Sequence, residues 1–144
     1  MGTAKIEFKW AIILAIITFI VFFLSKILGW QTPETIGTHE TVAFGGFLIT
    51  YIVAIWLGLK EKRENDLAGL MTYGQAFWTG AIISLLGAVF MTTFIYCFIC
   101  WINPDLVKVI GETENGFLKN FSMMSFVIGM VFTLILGFFA KKEA

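Results

Sequence analysis

Four apolar runs, residues 10–28, 42–59, 76–102 and 121–140, contain no Pro, Asp, Glu, Arg or His. Crossing a hydrocarbon core of about 30 Å takes about 20 residues of helix. In lipid each backbone N–H and C=O must be satisfied within its own segment, so a run of this kind has to be helical. The only charge in the four runs is Lys26, close enough to a run end to extend its ammonium to the headgroups. The rest of the composition agrees. The 144 residues are 58% hydrophobic and 14% charged, and mean hydropathy is +0.87. A soluble domain has about 25% charged residues. The expected fold class is therefore all-α: an integral membrane bundle of four transmembrane helices, formed by residues 1–144 as a single transmembrane domain. The first run is too long for a signal-peptide core and lacks an Ala-x-Ala site, so it reads as a retained span.

Lys and Arg counts set the expected orientation. Lys5, Lys9, Lys60, Lys62, Arg63, Lys141 and Lys142 fall on one side of the runs, and Lys26, Lys108 and Lys119 on the other. Both termini are thus expected in the cytoplasm (N-in/C-in), with the loops around Pro33 and Pro104 outside. Trp10, Trp30, Trp78 and Trp101 lie near run ends, where interfacial anchors are placed.

The two outer loops share a pattern: Trp30-Gln31-Thr32-Pro33-Glu34 and Trp101-Ile102-Asn103-Pro104-Asp105. A polar cap, Pro and an acid open a helix. Helices are therefore expected to start at Pro33 and Pro104. The second would be a short interfacial helix over 104–110, laying Leu106, Val107 and Ile110 on the membrane surface until Gly111 stops it. Residues 112–116 read as a turn. The shared pattern could record an internal repeat, or only the common chemistry of a helix start. On the cytoplasmic side, 60–66 extends the second helix into water and 67–71 is expected on the membrane surface. Thr72-x-x-Gln75 reads as a capping box for the third helix. The charged loop reads as positive-inside anchoring, with a lipid-headgroup or partner site around Lys60, Lys62, Arg63 and Tyr73 as the alternative.

Small residues recur every four positions: Gly46, Thr50, Ala54, Gly58; Ala76, Gly80, Ser84, Ala88, Thr92; and Ser125, Gly129, Thr133, Gly137. Such rows share a helix face and let backbones approach. They are expected to be packing seams, with the 16 Phe helping to fill the other faces. One seam could instead stay free for a partner or a second copy.

Cys97 and Cys100 fall at the C-terminal end of a helix, in apolar surroundings, and not at a helix N-terminus, where a reactive CxxC pair sits. With His39 they are the only candidate metal ligands of the Cys/His kind, short of the four a zinc site takes. They read as small packing residues; a metal or thiol site on the outer face is the alternative. His39, in "GTHET", reads as a solvated loop residue.

No carboxylate and no His lies inside the runs, where proton-coupled carriers generally place an ionisable group. No Walker loop, HExxH, GxSxG or nucleotide fingerprint is present. No catalytic residue, no cofactor and no metal are expected. Net charge is zero, so no nucleic-acid partner is implied. The expected partners are the lipid bilayer and a second copy or another membrane protein. The expected function is a non-enzymatic structural or accessory membrane protein associating through its seams. The alternative is a small oligomeric transporter or channel lined by Thr50, Thr79, Ser84 and Thr92.

The stretch "LAGLMTYGQAF", and within it Thr72-Tyr73-Gly74-Gln75-Ala76, resembles a Ser/Thr-aromatic-Gly-polar-Ala motif. Trp101-Ile102-Asn103-Pro104-Asp105 resembles an aromatic-Ile-x-Pro-Asp motif closing a third helix. Together they are similar to the bacterial four-helix membrane proteins catalogued as domain of unknown function forty-one ninety-nine. The resemblance implies four spans and a bacterial inner-membrane address, and transfers no catalytic residue.

Overall fold

The computed structural model describes residues 4–142. Four long helices carry the four apolar runs: α1 (Lys5–Ile27), α2 (Ile36–Asn65), α3 (Tyr73–Trp101) and, after the single turn α4 (Leu106–Ile110), α5 (Glu114–Ala140). Each long helix is long and apolar enough to cross a membrane. α2 has 30 residues, which at about 1.5 Å per residue exceeds the hydrocarbon thickness, so its charged last turns continue past the apolar run.

α1 packs on α2 and α3, and α5 packs on the same two, while α1 and α5 barely touch. The outward faces are large and apolar on all four long helices, for example Ile20, Ile49, Val89 and Val131. Water would penalise that belt, and lipid does not.

The small-residue rows of α3 and α5 face each other in antiparallel register. A Cβ added to Gly80 would lie 2.5 Å from Thr133, and one added to Gly129 would lie 2.5 Å from Ser84 Oγ. Gly137 lies opposite Ala76. Glycine on one helix thus receives a hydroxyl residue from the other. The hydroxyls are satisfied in the helices that carry them: Ser84 Oγ donates to the Gly80 carbonyl at 2.8 Å and Thr133 Oγ1 to the Gly129 carbonyl at 2.8 Å. Tyr51 of α2 is fully buried and closes the centre, its ring reaching towards Gly129 on α5 and its hydroxyl towards Gly87 on α3. These two seams are therefore consumed inside the chain rather than left open for a partner. In the α2 row, Ala54 and Gly58 are buried and Gly46 and Thr50 half-buried.

At the end that carries the termini, polar groups tie helices together. Lys9 Nζ reaches Glu61 Oε1 at 2.6 Å, and Trp10 Nε1 donates to Glu61 Oε2 at 2.9 Å. Lys62 bridges buried Glu7 at 3.1 Å and Asp66 at 2.8 Å. Arg63 Nη1 donates to the Ala140 carbonyl at 3.0 Å. These charges join α2 to α1 and α5. The Thr72/Gln75 capping box opens α3 as expected. Of residues 67–71, Leu70 is exposed, whereas Met71 is fully buried and pairs with Lys142 through backbone bonds of 2.8 Å in both directions. Its apolar side chain finds more contact beneath the bundle than at an interface.

Candidate functional site

At the opposite end, neither proline opens a helix directly. Thr35 N–H donates to the Thr32 carbonyl at 3.1 Å, and Leu106 N–H to the Asn103 carbonyl at 3.2 Å. Each Pro thus sits in a tight turn, and the helices begin after it, at Ile36 and Leu106. Pro at the second position of a turn satisfies the same φ preference as Pro at a helix start, and this explains the shared sequence pattern. The two turns are clipped together. Asn103 Nδ2 donates to Gln31 Oε1 at 2.6 Å, and Gln31 Nε2 donates to the Phe22 carbonyl at 2.8 Å. Lys26 Nζ donates to the Ile102 carbonyl. Leu106 and Val107 are buried against the core instead of lying outward on the membrane surface. Gly111, at φ +83°, ends α4. Thr113 then caps α5, accepting from Gly116 N–H at 3.1 Å, so residues 114–116 are helical rather than part of a turn.

Beneath this end lies a groove of about 400 Å³. α1 contributes Thr18, Val21 and Phe22; α2 contributes the face from His39 to Thr50; Ile110 and Glu112 close the top; α5 contributes Phe117, Asn120, Phe121 and Met124. Aromatic rings pack around its apolar lining. Phe22 meets His39 edge-on at 4.9 Å and Phe121 at 6.4 Å, and Phe47 meets Phe121 at 6.1 Å.

His39 is not a solvated loop residue. It sits in the first turns of α2, is 2% exposed, and its Nδ1 has no hydrogen-bond partner. Thr18, 5% exposed, likewise has an unpartnered hydroxyl. A buried polar atom without a partner costs about 1–3 kcal/mol. Two on one groove are therefore a local defect unless something else engages them. Glu40 and Glu112, both exposed, are the acidic lining residues.

The structure does not bring His39 and the cysteines into a metal centre. Among the described residues, no three His, Cys, Asp or Glu side chains form a group able to hold a metal ion. Cys97 is half-buried and Cys100 exposed, both as free thiols. Of the hydroxyl residues considered for a pore, Thr79 and Ser84 are buried in the interior, and Thr50 and Thr92 are half-buried.

The sequence patterns pointed to seams and missed the groove. Its walls come from three helices, and the burial of His39 depends on Phe22, a ring from another helix. The one local signal is an imidazole and a carboxylate side by side, His39-Glu40, close to a long apolar run.

Residues 9–119 match the family described as "Protein of unknown function (DUF4199)". No curated protein and no solved structure matches the chain.

Proposed function

The chain belongs to the family of proteins of unknown function DUF4199, and from that premise we propose that it is a non-enzymatic structural or accessory protein. Its place is the bacterial inner membrane, with both termini cytoplasmic. The observation that carries this reading is the filled interior. Glycines of α3 and α5 receive Thr133 and Ser84, and Tyr51 occupies the centre. A bundle closed in this way offers no path through a single copy. It offers instead a rigid, lipid-facing surface. Because the α3 and α5 seams are spent internally, association with another membrane protein falls to the outward Phe, Ile, Leu and Val faces.

The alternative, an oligomeric transporter or channel, would run a path between copies past Thr50 and Thr92. Vesicles reconstituted with the pure protein separate the two. The accessory reading predicts no flux above protein-free vesicles for a broad panel of ions and small solutes. Reproducible flux of any one of them would replace it with the transporter reading.

A further inference from the structure

The groove at the proline-loop end has the features of a built ligand site, and nothing in its internal packing accounts for them. Its volume of about 400 Å³ lies in the range of small-molecule sites, about 300–1,000 Å³. The rim residues Phe44 and Met124 are 47% and 40% exposed and belong to the outward apolar faces of α2 and α5. The groove therefore opens sideways, towards lipid, rather than only into water. His39 and Thr18 are among its lining residues, and His39 Nδ1 and Thr18 Oγ1 are buried and unpartnered. Thr18 lies one helical turn deeper than Phe22, the ring that covers His39. The charged residues on its lining are Glu40 and Glu112, and no Lys or Arg contributes. Two of the nearest cations in sequence are engaged elsewhere: Lys26 with the Ile102 carbonyl and Lys108 with Asp105.

We propose that this groove binds one bilayer lipid whose headgroup carries a primary ammonium. The acyl chain lies along Phe22, Phe47 and Phe121. The glycerol-ester region takes up the Thr18 hydroxyl and the His39 imidazole. The ammonium is held by Glu40 and Glu112. A primary ammonium can donate hydrogen bonds to carboxylates, a quaternary one cannot, and an anionic head is repelled. The site requires only that the four helices span a membrane. Finding or failing to find a protein partner leaves it untouched.

The test uses the full chain in phosphatidylcholine nanodiscs. Trace phosphatidylethanolamine, phosphatidylcholine or phosphatidylglycerol, each with the same photoreactive acyl chain, is added at equal mole fraction. After irradiation the crosslinked peptides are mapped. The ethanolamine probe is expected to label the groove peptides about tenfold more than the choline probe, the ratio that one charge-assisted hydrogen bond supplies. The E40Q/E112Q variant, altered only at exposed side chains, is expected to reduce that ratio to about one. Gly46→Leu is expected to block groove labelling by both probes. A Cβ there meets only Val21, at 3.8 Å, so the longer side chain enters the groove without a clash at its root. Equal labelling by the three headgroups overturns the proposal, as does an ethanolamine preference that survives E40Q/E112Q. Labelling that maps outside the groove, or is unchanged in Gly46→Leu, overturns it as well.

Discussion

Single glycines decide how closely α3 and α5 approach. A Cβ at Gly80 or Gly129 would fall 2.5 Å from Thr133 or Ser84, closer than real atoms pack. Gly80→Ala and Gly129→Ala are each expected to destabilise the bundle by about 1–3 kcal/mol, the usual cost of overpacking. Gly46→Ala, with open space beside it, is expected to cost little. Reversible unfolding in mixed micelles measures all three. Thr133→Ala removes the two Thr133 atoms at 2.5 Å from a Cβ at Gly80 and leaves only its own Cβ at 3.0 Å, so the Gly80→Ala/Thr133→Ala pair should recover part of the loss in a double-mutant cycle. Additivity of the two changes would show that the seam is not the contact described. The rows of four were legible in the sequence because spacing alone places Gly80 and Ser84 on one face. That Gly80 meets Thr133, and Gly129 meets Ser84, was not legible. Register between helices depends on loop geometry as well as on each helix's own pattern.

At the scale of elements, the apolar runs announced the helices, while their ends were set by contacts the runs do not contain. α2 and α5 begin earlier than their runs because polar residues are helical there too: Ile36 to Thr41 under the proline-loop clip, and Glu114 to Asn120 after the Thr113 cap. His39 was misread for this reason. Its neighbours in sequence are polar, and its cover comes from α1. The clip itself joins two loops 72 residues apart. Asn103→Ala and Gln31→Ala are each expected to cost about 1 kcal/mol, with coupling between them in a double-mutant cycle, because both remove the same hydrogen bond. Gln31→Ala should be the worse of the two, since it also frees the Phe22 carbonyl. At the opposite end, Thr72→Ala removes the α3 cap and is expected to cost about 1 kcal/mol. Equal stability of the Thr72→Ala protein and the wild type would mean that tertiary packing alone fixes that helix start.

The whole molecule joins a closed interior to an apolar exterior. Orientation has a direct check. On a cysteine-free background, Lys60→Cys should react with an impermeant maleimide only after the cytoplasmic face is opened, and Lys108→Cys should react in intact cells. The opposite pattern would reverse the topology and place the groove in the inner leaflet. The measurement that bears most directly on the central claim is crosslinking in intact cells, followed by gentle extraction and mass spectrometry of what accompanies the chain. An accessory protein with no path of its own predicts one reproducible membrane-protein partner. Recovery of the chain only with itself, as a defined oligomer, would contradict the accessory reading.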